Sequence, residues 1–231
     1  MTTPAQPPPR HAAAPAVTLN TILLHITLAL LVTACAPPPP ADVSNACTIL
    51  EERKPWYHAA ITAQKNWNMP PALTLAFIHQ ESSFKGNARP PRKKLLGFIP
   101  WKRPTSAYGY AQAIKSSWKQ YKEETGKRFA RRSSFKSAVD FMGWYNNKSV
   151  KTLGIPPSDA YNLYLAYHEG WSGYRKKSYL KKEWLIKVAK KVAQRTQTYE
   201  KQLNSCAGSL KSPWYRLWTH TPDPGLHRAD T

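Results

Sequence analysis

Acidic side chains are scarce in this chain of 231 residues. Only 13 residues are Asp or Glu, against 34 Lys and Arg, so the formal net charge is +21 with neutral His. Cysteine is also rare, with three residues, and no Cys and His cluster has the spacing of a zinc site. No glycine-rich phosphate loop is present. The sequence therefore predicts no metal and no cofactor, and each of its few carboxyl groups becomes informative about catalysis.

The chain also has no long apolar run. The segment 17–32 is mostly apolar, but its least interrupted part, 26–32, is much too short to span a membrane. Arg10 is the only formally charged residue before this segment ends. An apolar stretch after a weakly basic start is typical of a secretory signal peptide.

Aromatic and basic residues are plentiful. Hydrophobic residues make up 42% of the chain, with nine Trp and twelve Tyr, which is far too many for a disordered polyelectrolyte. A pI of about 10.0 suits a polyanionic partner. Nucleic acid, an anionic membrane surface and an anionic wall polymer all qualify, and charge alone does not choose among them.

The end of the apolar segment carries a processing signal. Residues 31–35 read Leu-Val-Thr-Ala-Cys, which resembles the lipobox of bacterial lipoproteins; a chance Cys is the alternative. The resemblance implies removal of residues 1–34, a lipid anchor on Cys35 and a proline-rich tether over 35–45. Ala36 after the lipidated Cys implies, in a Gram-negative cell, an outer-membrane protein that faces the periplasm.

Two cysteines remain once Cys35 is lipidated. Cys47 and Cys206 form an even pair in an oxidising compartment, so we predict a disulfide between them, with two free thiols as the alternative. They bracket the segment 46–206, which we predict to be one domain. Residues 207–231 form a C-terminal tail without periodicity.

The sequence of the predicted domain indicates a series of helices. Apolar residues recur at helical spacing between Pro and Gly turns, without convincing strand alternation, so we predict a mainly α-helical fold. One helix spans 72–81, with Pro71 in its first turn, and carries Glu81 to its end. Apolar neighbours there would raise the pKa of Glu81, giving a general acid that stays protonated near neutral pH. Residues 90–104 are rich in Pro, Lys and Arg and predict a loop or hairpin insertion.

Three blocks occur in a specific order. Residues 76–84 read A-F-I-H-Q-E-S-S-F, residues 107–112 read A-Y-G-Y-A-Q, and residues 165–170 read L-A-Y-H-E-G. Together they resemble the three motifs of the lytic transglycosylase family that includes the soluble lytic transglycosylase domain. The resemblance covers about residues 46–203, which is most of the mature chain, and implies a lysozyme-like single catalytic domain with the insertion near its cleft.

The resemblance also implies roles for individual residues. Glu81 corresponds to the catalytic acid and base, and Tyr167 to a Tyr whose hydroxyl contacts that acid or the substrate near it. Gln112 is expected to hydrogen-bond a sugar, and Ser82 belongs to the same substrate-binding set. Tyr110 is added to this set as an aromatic candidate for stacking on a sugar ring, with a position in the core as the alternative.

The chain departs from the family pattern at several positions. Tyr110 and Ala111 replace the usual Leu-Met, and His168 replaces the usual Asn. A Ser common in the family falls on Pro90 here, with Ser106 as one possible substitute.

The implied reaction is cleavage of the β-1,4 bond between N-acetylmuramic acid and N-acetylglucosamine in peptidoglycan, without water as nucleophile, to leave 1,6-anhydromuramyl ends. One carboxyl suffices for it, whereas ordinary glycosidases use two. Six other acids of the domain are candidates for a second catalytic group, and none is assigned that role: Glu123, Glu124, Asp140, Asp159, Glu169 and Glu183.

Two other functional hypotheses remain open. A goose-lysozyme-like muramidase would hydrolyse the same bond, and a non-catalytic lipoprotein would only bind wall glycan. The expected partners are peptidoglycan strands and the membrane through the lipid anchor, with other envelope proteins as further candidates. The signal sequence argues against nucleic acid.

Overall fold

The structure is a computed structural model that describes residues 37–92, 94–96 and 99–211. The predicted signal peptide, Cys35 and most of the C-terminal tail lie outside these residues. The described chain is mainly α-helical, as predicted. Its eight helices are α1 Ala46–Glu52, α2 Lys54–Trp67, α3 Pro71–Ser82, α4 Lys115–Thr125, α5 Phe135–Leu153, α6 Ala160–Arg175, α7 Glu183–Ser205 and α8 Ala207–Lys211.

Helix α3 is the central helix of the domain. It begins at Pro71, whose fixed φ suits the first helical position, and all of its residues from Ala72 to Ile78 are buried. A helix that is apolar on every side belongs in the interior, and α3 packs against α2, α5 and α7. The predicted helix 72–81 is confirmed to within one residue at each end.

Aromatic side chains fill the space around α3. Trp56 of α2 stacks on Phe135 of α5 with ring centroids 3.9 Å apart, and on Phe84 with centroids 5.8 Å apart. A second aromatic group joins α4 to α5, where Phe141 contacts both Trp118 and Tyr121. Such pairs add about 0.5–1.5 kcal/mol each beyond the burial of their area. The aromatic residues that are so frequent in the sequence are thus largely core residues.

The insertion before α4 contains a short hairpin. Strand β1 is Lys94–Leu95 and strand β2 is Ile99–Pro100, and they pair antiparallel. Leu96 lies between them with φ of 54° and is 75% exposed, and Trp101 directly after β2 is 52% exposed. The predicted loop or hairpin is therefore a hairpin with exposed apolar residues.

The two ends of the helical domain are joined. A disulfide links Cys47 in α1 to Cys206 just after α7, as predicted. Next to it, Gln202 accepts a hydrogen bond from the Ala46 backbone N–H at 2.9 Å, and the Tyr199 hydroxyl donates to the Val43 carbonyl. A covalent bond and several hydrogen bonds thus hold α1 against α7.

Among the described residues, no helix has the length and apolar character needed to cross a bilayer.

Candidate active site

Glu81 lies in the last turn of α3. The helix ends there because Ser83 adopts a left-handed conformation with φ of 47°, and its N–H bonds to the His79 carbonyl at 3.0 Å. Phe84, with φ of 60°, is fully buried against Trp56 and holds the turn in place. The Glu-Ser-Ser-Phe segment is thus a helix stop whose Phe anchors it to the core.

Two tyrosines of α6 surround the carboxyl group of Glu81. Burial raises the pKa of Glu81 from 4.5 to about 7, and a hydrogen bond from the Tyr164 hydroxyl opposes that rise in part. The pKa values of Tyr164 and Tyr167 are both raised, chiefly by burial and then by the charge of Glu81. Phe77, one turn before Glu81, packs edge-on against both rings, with centroids 5.2 Å and 5.6 Å away.

Tyr167 connects this acid to the second sequence block. Its hydroxyl donates to the Ala111 carbonyl at 2.5 Å, while Tyr164 supplies the hydrogen bond to Glu81. The sequence reasoning missed Tyr164. The available signal was its spacing, because residues three apart on a helix share a face, so a Tyr at 164 lies beside one at 167.

The second block is a tight turn over residues 107–112. Gly109 has φ of 81°, and a Cβ atom at this position would lie 2.0 Å from the Arg132 carbonyl oxygen, so only glycine fits. Gln112 has φ of 45°, and its side-chain nitrogen donates to the Ala88 and Gly109 carbonyls, both at 2.9 Å. Gln112 therefore ties this turn to the segment that follows α3.

Three other residues that the sequence suggested for the substrate site make contacts within the protein. Tyr110 is 1% exposed and packs edge-on against the stacked rings of Trp56 and Phe135 in the core, not on a cleft surface. Ser82 is buried, and its hydroxyl donates back to the Ile78 carbonyl at 3.1 Å. Ser106 accepts a hydrogen bond from the Lys115 N–H at 3.0 Å, at the start of α4. The substrate-binding set that we propose below therefore omits Tyr110 and Ser82.

The third block places Glu169 in an ionic anchor. Its side chain is 3% exposed and accepts hydrogen bonds from Lys182 at 2.7 Å, from Ser178 and from His168. Burial acts to raise the pKa of Glu169, but these hydrogen bonds outweigh it and lower the pKa to about 2. Gly170 follows with φ of 74° and kinks α6. Glu169 is thus ionised and holds the end of α6 to the segment before α7.

A scan against protein families matches the description "Transglycosylase SLT domain" to residues 23–206. The chain belongs to the transglycosylase SLT domain family. No curated protein and no solved structure matches it significantly. Because SLT domains are lysozyme-like, membership confirms the predicted fold. It also indicates a lytic transglycosylase that binds peptidoglycan in the cell envelope.

The described part of this SLT domain contains no group of three or more His, Cys, Asp or Glu residues arranged to hold a metal ion.

Proposed function

We propose that this SLT domain cleaves the β-1,4 bond between N-acetylmuramic acid and N-acetylglucosamine non-hydrolytically, with Glu81 as the single general acid and base. The observation that carries the proposal is the environment of Glu81 at the end of α3. Burial holds its pKa at about 7, so near neutral pH it can donate a proton and then accept one.

The reaction needs only one carboxyl group because the substrate supplies the nucleophile. Protonated Glu81 gives its proton to the glycosidic oxygen as the bond from that oxygen to C1 of the muramyl residue breaks. The resulting carboxylate takes the proton of the muramyl C6 hydroxyl, whose oxygen forms the new bond to C1. The products are a free hydroxyl on the glucosamine side and a 1,6-anhydro ring, and Glu81 ends protonated again.

The contacts of Glu169 and Asp140 favour a mechanism with one catalytic carboxyl group over one with two. A second catalytic carboxylate would act as nucleophile or activate water. Glu169 is held by Lys182 and Ser178, and Asp140 accepts hydrogen bonds from Trp67 at 2.9 Å and Tyr121 at 2.5 Å and pairs with Lys127. The contacts of both acids are therefore structural, because they link neighbouring helical segments.

The neighbours of Glu81 have proposed supporting roles. Tyr164 positions the carboxyl group through its hydrogen bond and stabilises the ionised form. Tyr167 fixes the distance between α6 and the turn of the second block through Ala111. Gln112 has its side-chain nitrogen on backbone carbonyls, so we propose that its side-chain oxygen accepts from a sugar amide or hydroxyl.

The products of digestion test the reaction. Sacculi treated with the purified protein are expected to release muropeptides with 1,6-anhydromuramyl ends, which mass spectrometry finds lighter by one water than hydrolytic products. Reducing muramyl ends at the same sites would show the goose-lysozyme-like reaction instead. Binding without any released product would show a non-catalytic glycan-binding protein.

The pH dependence tests the role of Tyr164. Only protonated Glu81 can act as the acid, so kcat/KM is expected to fall as pH rises through about 7. Tyr164→Phe removes the hydrogen bond that favours the carboxylate, so the pKa of Glu81 rises further and the alkaline limb moves up by about one pH unit. Tyr161→Phe, one turn earlier on α6, is the matched control and leaves the limb in place. A limb that stays unmoved in Tyr164→Phe contradicts this assignment.

The N-terminal features complete the proposal. We propose that residues 1–34 are removed, that Cys35 carries the lipid, and that 35–45 tether the catalytic domain to the outer membrane on its periplasmic side. The domain was predicted to end at 206, but residues 207–211 form α8 and pack against α1 and α7, so we propose that the tail begins after Lys211.

A further inference from the structure

A basic groove runs beside helix α4. It encloses a volume of about 490 Å³. Among the described residues that line it, five are cationic and only Glu123 is acidic. The cationic residues are Lys115, Lys119, Lys122, Arg128 and Arg132, and the aromatic residue of the lining is Trp118.

The spacing of the lysines gives the groove its direction. Lys115, Lys119 and Lys122 follow one another at intervals of four and three residues, so they lie along one face of α4. Arg128 and Arg132 come from the segment after the helix and form the other wall. Trp118 lies on the same face of α4 but is only 7% exposed, so it forms part of the floor.

The positive charge of the groove is little neutralised. Glu123 pairs with Lys119 at 3.6 Å, but both side chains are more than 60% exposed, and such surface pairs contribute little. Lys127, in contrast, lies outside the groove lining and pairs with the buried Asp140. A concave surface lined by one sign of charge raises the local concentration of ligands of opposite charge.

The groove adjoins the candidate active site through Arg132. The Arg132 guanidinium donates to the Ser106 and Ala113 carbonyls at 2.7 Å and 2.8 Å, on either side of the turn at 107–112. Its backbone carbonyl accepts from the Tyr110 N–H and lies against Gly109. The same turn receives the Tyr167 hydroxyl from beside Glu81, so the groove and the acid share one structural wall.

We propose that this α4 groove binds the carboxylates of the peptide stems that project from the glycan strand. The inference rests on the proposed function, because it takes a strand placed at Glu81 as its starting point. A sugar backbone there carries acidic stems at intervals, and the groove is the cationic surface that continues from the wall of the site. The groove therefore selects stem-bearing strands over bare ones.

Substitution of the groove lysines and arginine tests this inference. The groove variant is Lys119→Gln, Lys122→Gln and Arg128→Gln; the matched control is Lys187→Gln, Lys190→Gln and Lys191→Gln, which removes equal charge from exposed positions of α7. On stem-bearing strands the groove variant is expected to raise KM about tenfold with kcat unchanged. On strands stripped of stems by an amidase, both variants should match the wild type.

Three results would overturn the proposal. The first is an equal rise of KM in the control variant, and the second is an equal rise of KM for the groove variant on strands without stems. The third is a groove variant that no longer binds anionic lipid vesicles but still binds sacculi. The last would make a membrane surface the partner of the groove. Co-sedimentation of the full chain carrying Glu81→Gln with sacculi, and its retention on immobilised stem-free glycan strands, measure binding without turnover. They still decide the groove if the wild type releases no anhydro products, which would count against the proposed reaction alone.

Discussion

Glu81→Gln is expected to lower kcat on peptidoglycan about a thousandfold while the domain stays folded. A positioned general acid contributes about 10²–10⁴-fold to a rate, and here one group acts first as acid and then as base. The amide has the size of the acid and its oxygen can accept the Tyr164 hydrogen bond, but it has no acidic proton to give. The measurement is the release of anhydromuropeptides from sacculi.

Stability provides an independent readout for the same variant. In the folded protein Glu81 keeps its proton up to about pH 7, whereas the unfolded chain releases it near 4.5. The folded state binds more protons in this window, so the wild-type free energy of unfolding falls as pH rises from about 4.5 to 7, by about 3 kcal/mol from this group. Gln does not titrate, so Glu81→Gln should become more stable than the wild type across that range in urea unfolding.

Two matched amide variants separate chemistry from folding. Glu200→Gln, at an exposed position of α7, should change neither activity nor stability appreciably. Glu169→Gln should lower the free energy of unfolding because Lys182 loses its charged partner. At a temperature where this variant is still folded, it should release anhydromuramyl ends like the wild type. Full lytic activity in Glu81→Gln would remove Glu81 as the catalyst, and loss of the reaction in folded Glu169→Gln would point to a second catalytic acid.

The double variant Cys47→Ser and Cys206→Ser is expected to lower the free energy of unfolding by about 3–5 kcal/mol. The disulfide joins residues 159 positions apart, and closing so long a loop removes much of the conformational freedom of the unfolded chain. The hydrogen bonds of Gln202 and Tyr199 to the N-terminal segment remain, so the native contacts between α1 and α7 persist. Urea unfolding followed by circular dichroism measures the loss.

Reduction supplies the control for the disulfide. A thiol reductant should destabilise the wild type by the same amount and leave the double variant unchanged. Equal stability of oxidised and reduced wild type would show that the bond does not constrain the unfolded chain as expected.

The helices were predictable because each depends on a local pattern. Pro71 at the first turn and a run of apolar residues gave the limits of α3 to within one residue, and with them the place of Glu81 at a helix end. The hairpin was anticipated only as one option, since the segment 90–104 has no alternating pattern and its two strands have two residues each.

The contacts of the site residues were less predictable. Tyr164 was missed as the partner of Glu81. Tyr110, a candidate for stacking on a sugar, is a core residue that packs edge-on against the stacked Trp56 and Phe135. Glu169 looks like any acid in the sequence, and only the approach of Lys182 and Ser178 shows that it is an ionic anchor.

By itself the sequence determined the helical class and the order of the three blocks, because these follow from residue type and spacing along the chain. It also predicted the pairing of Cys47 with Cys206, and the resemblance of the three blocks to the family singled out Glu81. Tertiary structure alone decided which Tyr reaches the acid, how far burial raises the pKa of Glu81, and where the basic residues gather into a groove. Those properties depend on side chains that are distant in sequence, such as Glu81 and Tyr164 or Gly109 and Arg132, whose contacts exist only once the helices have packed.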